Sequence, residues 1–339
     1  SYLRLGRNLR RVCANLNDEP PPLLALTATA SPRVLNDMMS ELGLDADDPG
    51  LLHRPSSFDR PNLHYRVFPT EPRQRTEAVT AAIGWVAEEM GETPQSLSRP
   101  QGDNTAAGIV FVPHVKSGMQ LGLFTYTEVV AKAMDLDASE GIAQFAGRPP
   151  DDRPSAEWER QKVEYADDFL RNKRSVMVST NAFGMGIDKP NIRFTVNVVL
   201  PSSIESFAQE SGRAGRGRDK GDSYCALVAP KNPRQEAAKI GSRSSFDTNF
   251  ARDDVGIQLG FLKRSFPDPD QEHTVALSIA AELLSTAAPG GTAIISRSVF
   301  RPRHDGQERP EKVDPHAKEK ALFRLLLVGV IDDYTIEYG

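Results

Sequence analysis

Short apolar runs alternate with amphipathic stretches over the first two thirds of this chain. LHYRVF (63–68), GIVFV (108–112), IAQFA (142–146), SVMVST (175–180), FTVNVVL (194–200) and SYCALVA (223–229) have the length of strands and are bounded by turn-forming residues. Between most of them, residues 74–90, 115–134, 155–172 and 203–212 show helical spacing. That alternation predicts an α/β fold, a parallel sheet flanked by helices. Further upstream, LLALTATA (23–30) reads as a short buried strand ending in small hydroxyl residues. SPRVLNDMMSELGL then reads as a helix, with Ser31 as N-cap, Pro32 in the first turn, and Val34, Leu35, Met38, Met39 and Leu42 on its buried face.

The rhythm breaks in three places. Residues 91–107, GETPQSLSRPQGDNTAA, hold turn formers without periodicity and read as an exposed insertion. After Pro230 the pattern becomes mostly helical to residue 289, and residues 296–315 read as a charged, proline-bearing loop. The last stretch predicts a helix with Ala321, Leu322, Leu325 and Leu326 on one side, a stop at Gly329 and a short hairpin around Asp332 and Asp333. Such an ending fits a winged-helix module, in which Lys318, Lys320 and Arg324 would touch phosphate; Leu322, Leu325 and Leu326 are more simply core.

Composition narrows the picture. A formal charge of −5 argues against a globally basic coat, so phosphate contacts would have to come from local clusters. Cys13 and Cys225 are the two cysteines, which excludes a disulfide-dense scaffold and a four-cysteine zinc site within this sequence. No apolar run approaches the ~20 residues that span a bilayer, so no membrane role is expected and the setting is read as cytoplasmic, nucleoid-associated if the source is bacterial. The opening at Ser1, inside a basic helical-looking stretch, reads as the interior of a longer protein.

Candidate chemistry sits in QESGRAGRGRD (209–219). If the helical turn persists there, Gln209, Arg213 and Arg216 fall at i, i+4 and i+7 and place an amide and two guanidiniums on one face. Guanidinium forks match phosphate oxygens bidentately and stay charged, which suits a polyphosphate. The plainer reading is a solvated basic helix end paired with Glu210 and Asp219. Ser202 and Glu205, three residues apart, read as a capping box that starts this helix. Upstream, VMVSTNAFGMGIDKPNIRF (176–194) ends a strand in Ser179 and Thr180 and enters a loop with Gly184, Gly186 and Asp188. There, glycines let backbone amides approach phosphate, and a carboxylate can accept from a ribose hydroxyl.

STNAFGMGIDKPNIRFTVN followed by QESGRAGRGRD closely resembles motifs V and VI of superfamily 2 helicases, in the RecQ branch. LALTATA resembles that family's motif III, and SFDRPNLHYRV (57–67) resembles the segment linking its two motor domains. The resemblance implies a RecA-like second motor lobe. Arg216 would be the arginine finger, Arg213 a second γ-phosphate or interdomain contact, and Gln209 a positioning group. Gly184, Gly186 and Asp188 would border the nucleotide, while Ser179 and Thr180 would reach the nucleic-acid backbone or couple the two sites. Thr27 and Thr29 would link hydrolysis to strand movement. In GIVFVPHVKSG, Lys116 stands where relatives contact backbone phosphates; AQFAG (143–147) lacks the histidine-bearing turn that relatives usually have there.

Departures from the family matter equally. No G-x-x-x-x-G-K-[ST] occurs, and Asp18-Glu19, running into Pro20, Pro21 and Pro22, is a loop and no metal-binding pair. The family's cofactors, ATP and Mg2+, would then be held mainly by a preceding lobe, and its usual zinc module is absent. Residues 1–66 read as the end of a first lobe, 67–231 as the second lobe and 232–339 as a helical accessory region. The implied function is the C-terminal part of an ATP-dependent DNA helicase or translocase, 3′ to 5′ by resemblance, inactive as this segment alone, with single-stranded DNA or a duplex junction as partner. A RecA-like binding module without turnover and an RNA helicase are the alternatives. Repair, recombination, defence and modification systems stay equally open.

Overall fold

The computed structural model describes residues 59–115, 121–150, 153–184, 188–217 and 221–232 without a break, and shorter stretches elsewhere, chiefly 22–27, 32–45, 256–258, 269–286 and parts of 318–334. Six strands form one sheet: β1 (Leu63–Thr70), β2 (Ala107–Phe111), β3 (Ile142–Phe145), β4 (Val176–Ser179), β5 (Ile192–Asn197) and β6 (Ser223–Pro230). Their order is β1-β6-β5-β2-β4-β3, and every adjacent pair is parallel. A parallel pair needs a crossover, and helices supply it. Those following β1, β2, β3 and β5 are α2 (Arg75–Glu89), α3 (Leu123–Ala133), α4 (Ser155–Leu170) and α5 (Ile204–Ser211), while α1 (Pro32–Leu42) precedes the sheet. The predicted parallel α/β architecture is the one observed.

Why the strands read as apolar runs rather than alternations follows from their place. All residues of β2 and β4 are buried, and β5 and β6 are each exposed in part at a single position, because helices cover both sheet faces. Ile109, Phe111, Met177, Phe183, Phe169 and Cys225 share one core cluster. Gly108 is buried tightly: a Cβ there would run into the ring of Phe194 on the neighbouring β5.

β1 is a sheet edge and runs unbroken across the 66/67 boundary, pairing Leu63 with Ser223 and Thr70 with Pro230. By contacts the chain divides into two compact units, Ser1–Gln258 and Leu259–Gly339. In the second, α6 (Pro269–Thr286) packs Val275 and Ile279 with Ala321 and Leu325, which bears out the core reading of that helical stripe. Val330 N donates to Leu325 O and Gly329 N to Leu326 O, so the helical pattern stops where expected. Within the predicted 296–315 loop, β7 (Phe300–Arg301) and β8 (Arg309–Pro310) form a minimal antiparallel pair. The hairpin around Asp332 and Asp333 lies outside the described residues.

Several expectations are corrected. Residues 23–27 are not a strand: Leu24 and Leu26 are 80% and 83% exposed, because a strand is defined by a ladder partner and none of the described strands pairs with them. Of the stripe expected on α1, Met39 is buried while Val34 is 46% exposed. Residues 91–107 are mostly exposed, as expected, but are anchored and not without local structure. Thr93 and Ser96 cap the short helix Pro94–Leu97 reciprocally, Ser175 Oγ donates to Ser98 O at 2.6 Å, and Asn191 Nδ2 donates to Thr105 O at 2.8 Å. Capping and hydrogen bonds from distant residues, neither of which has a periodicity, tie this stretch down. The helix expected from residue 115 begins at Leu123.

Candidate functional site

α5 carries the predicted arginine motif. Its N-cap is Ser203, whose Oγ accepts from Ser206 N at 3.1 Å, one residue later than the Ser202–Glu205 box expected. Glu205 still helps: bonds from its own backbone N–H and the Ser203 hydroxyl hold its carboxyl below the usual range. The helix ends at Ser211, with Gly212 as C-cap, so Gln209, Arg213 and Arg216 do not share one helical face. A tight turn replaces it. Ala214 N donates to Ser211 O at 3.1 Å, Gly215 takes a φ of +65°, and Gly215 N donates to Ile192 O at the start of β5. The chain must turn there to enter β6 beside β1, and that tertiary demand overrides continued helical spacing.

The carbonyls of this turn converge on one side chain that the sequence reading did not single out. Arg60 Nη1 donates to Gly212 O at 3.0 Å, and Nη2 donates to Ala214 O and to Gly215 O, each at 2.8 Å. Asn62 Nδ2 adds a bond to Gly215 O at 3.1 Å. Carbonyls just past a helix C-terminus lack intrahelical donors and carry partial negative charge, so a guanidinium is matched to them. Gly212 O also accepts from Arg216 Nε at 2.8 Å, so Arg60 and Arg216 meet on one oxygen. Arg216 is exposed, and Arg213 is half-buried. Burial, and then the charge of Arg216, push the Arg213 pKa down.

Across from this turn lies the loop bearing Asp188. Lys189 is buried under α4: its Nζ donates to Asn172 Oδ1 and lies 5.2 Å from the Phe169 ring centre. Asn191 Nδ2 bonds the same Asn172 oxygen at 2.8 Å. Burial lowers the Lys189 pKa to about 8. These contacts pin the segment and leave Asp188 exposed at its edge.

Asp188 and Arg216 line one cavity of about 850 Å³, together with Arg99, Asp103 and Arg193. It lies at the N-terminal ends of the strands, where residues 105–106 lead into β2, 188–191 into β5 and Gly221 into β6, with 215–217 beside them. Its wall is mixed in charge: Glu92, Asp103 and Asp188 stand with Arg99, Arg193 and Arg216, and the Arg193 guanidinium already donates to Asp222 O. Among the described residues, no group of three or more His, Cys, Asp or Glu could hold a metal ion. Nearby, the Glu210 carboxyl accepts from Asn197 Nδ2; burial raises its pKa to about 7 against that bond.

Other candidates lie elsewhere. Ser179 and Thr180 sit at the opposite, C-terminal end of β4. Ser179 is fully buried and its Oγ donates to Thr180 O at 2.6 Å, so this hydroxyl has a local partner. Thr180 is half-buried, with its N–H on Phe145 O. Gly184 closes the 3-10 turn Asn181–Gly184, Gln209 is exposed on α5, and Thr27 is exposed in the irregular 22–27 stretch. Gly186, Lys116 and Thr29 lie outside the described residues. In the second unit, burial lowers the Lys318 pKa, with Glu282 opposing, and its Nζ is enclosed, so this lysine is no free phosphate contact.

Residues 157–218, from α4 through Asp188 to both arginines, match the family described as the helicase conserved C-terminal domain. This segment is a helicase C-terminal domain. The RecQ resemblance is borne out by curated relatives. The chain is 35% identical over 195 residues to a "Putative ATP-dependent DNA helicase Q1" of Caenorhabditis elegans, covering 58% of this chain and 25% of that protein. It is 31% identical over 222 residues to "ATP-dependent DNA helicase RecQ" of Bacillus subtilis (strain 168), covering 66% and 30%. The chain thus spans about a quarter to a third of the length of these relatives. A solved structure of "DUF1998 helicase MrfA bound to DNA and AMPPNP" shares 20% identity at a TM-score of 0.43, over 68% of this chain and 28% of that one. Around this segment, Arg60 and Asn62, Lys189 with Asn172 and Asn191, and Asn197 with Glu210 are the structural groups that sequence reading passed over. The one available signal was DRPN inside the segment already matched to the family's interdomain link.

Proposed function

We propose that this chain provides the arginine-bearing second motor lobe of an ATP-dependent DNA helicase or translocase. The carrying observation is that Arg216 and Asp188 face one cavity, with Arg216 anchored through Nε and exposed. In this reading Arg216 presents its guanidinium to the terminal phosphate, and Arg213, a half-buried charge beside it, adds positive potential behind. Asp188 orients the nucleotide by accepting from a sugar hydroxyl. ATP bound against this wall would supply the free energy of phosphoryl transfer to water. Its phosphate cradle and Mg2+ would come from a partner lobe, since the chain has no G-x-x-x-x-G-K-[ST]. Because β1 starts at Leu63 and Arg60 already bonds the arginine turn, the expected boundary at 66/67 shifts upstream: residues before about 59 would belong to that other lobe, those from there through β6 to this one and 232–339 to an accessory region. The segment alone would not hydrolyse ATP, no zinc would be needed, and movement would run 3′ to 5′ along DNA.

The test is single-stranded-DNA-stimulated ATPase activity of the full-length protein, wild type against Arg216→Ala. Loss of an arginine finger lowers turnover by ~10³ or more. Stimulated turnover should collapse while ATP affinity is retained. Unchanged turnover removes Arg216 from the mechanism, whereas a wild type without stimulated turnover favours a binding module without catalysis.

A further inference from the structure

We propose that Arg60, assisted by Asn62, is a positioning residue for the arginine pair, a role that rests on the reading of Arg213 and Arg216 given above. Three observations converge. The Arg60 guanidinium binds the carbonyls of Gly212, Ala214 and Gly215, which bracket Arg213 and immediately precede Arg216. Arg216 Nε uses the same Gly212 oxygen as its own anchor. Asn62 ties the turn to the sheet twice: Nδ2 holds Gly215 O, and its carbonyl accepts from Ser223 N at 2.8 Å as β6 begins.

The physical consequence is specific. A turn past a helix end has few backbone partners, so its conformation is set by whatever neutralises its carbonyls. Here one planar fork satisfies three of them at once, a geometry that a lysine's point charge cannot reproduce. Arg60 also precedes β1 directly, with Leu63 N donating to Arg60 O at 2.9 Å. Any shift of the segment entering β1 is therefore transmitted to the base of the Arg216 side chain. A change in the link between motor lobes and a change in arginine placement become one motion, which fits coupling of nucleotide state to lobe orientation.

The experiment compares wild type, Arg60→Met, Arg60→Lys and Arg216→Ala as full-length proteins by amide hydrogen exchange and stimulated ATPase kinetics. In Arg60→Met, exchange of the 213–217 amides should rise roughly tenfold or more from loss of bonds to a charged donor, with β2 and β4 amides unchanged. Turnover should fall at least tenfold with KM for ATP within about twofold, since an interaction made mainly in the transition state is lost. Arg60→Lys should recover less than half of either effect. Unchanged exchange at 213–217 overturns the clamp, and raised exchange with unaltered turnover overturns its role in positioning. If wild type and Arg216→Ala turn over alike, the functional reading fails by itself, and the exchange comparison still decides whether Arg60 holds the turn.

Discussion

Asn62 and Gly215 are fitted to each other. The Asn62 amide donates to Gly215 O at 3.1 Å, and a Cβ on Gly215 would collide with that same nitrogen and stand 3.1 Å from Leu63 Cδ2. With φ at +65°, the position also lies where side chains are strained. Gly215→Ala should cost about 1–3 kcal/mol of stability, measured by urea unfolding. The Asn62→Ala background should make the same change less costly, since the collision goes and the backbone strain stays. Equal costs in the two backgrounds would mean that the turn escapes without meeting Asn62.

Gly108 and Phe194 offer a parallel case in the core. A methyl at 108 has no room beneath the Phe194 ring in the β2–β5 pair, so Gly108→Ala should destabilise by about 1–3 kcal/mol. Combining it with Phe194→Leu should return part of that loss. Additive costs in a double-mutant cycle would show that the ring is not the obstacle.

Glu210 gives a pH dependence with a definite sign. Its folded pKa is raised from 4.5 to about 7 by burial, so the folded state holds a proton that the unfolded state has released. This contribution is complete below pH 4.5 and is lost as pH rises through about 7. Stability of the wild type relative to Glu210→Gln should therefore decline across that window and level off above it. Urea midpoints measured along the pH series provide the check, and a constant difference would refute the assignment.

Lys189 acts with the opposite slope at higher pH. Burial lowers its pKa from 10.5 to about 8, so the unfolded chain binds the extra proton between those values. Its contribution is present above pH 10.5 and is lost as pH falls through about 8. Wild type should gain stability relative to Lys189→Met on going from pH 8 to pH 10.5, which thermal melts of the pair would detect.

Cys225 is buried in the core cluster, and that burial pushes its thiol pKa up to about 11. Little thiolate exists near neutrality, so in a Cys13→Ser background the native protein should resist alkylation and react promptly only after unfolding. Fast native labelling would place the thiol nearer solvent than its core position allows.

The strands were legible because burial on both faces leaves an unmistakable mark: uninterrupted apolar runs such as GIVFV, broken by turn formers. The helices that cross between them were legible for the same reason, seen from one face. Residues 23–27 show the limit of that signal. LLALT has the composition of a buried strand, yet pairing is a relation between two segments, and no run contains its partner. The anchoring of 91–107 was equally hidden, since Ser175 and Asn191 reach it from far along the chain.

For the site, the residue types and their order were in the sequence: two arginines three apart after a polar helix, and an aspartate ahead of β5. Guanidinium chemistry follows from covalent structure and needs no fold to be read. Their shared geometry did not follow. Helical spacing put Gln209, Arg213 and Arg216 on one face, whereas the helix stops at Ser211 and a turn re-aims the arginines. The carbonyls of that turn are bound by Arg60, which is 152 to 155 positions away from them. Local sequence determined which groups were available and which segments became helix or strand, because those depend on neighbours within a few residues. Tertiary structure alone decided which carbonyls lacked a donor and which distant cation would supply it, because an unsatisfied group is created only when the chain is packed.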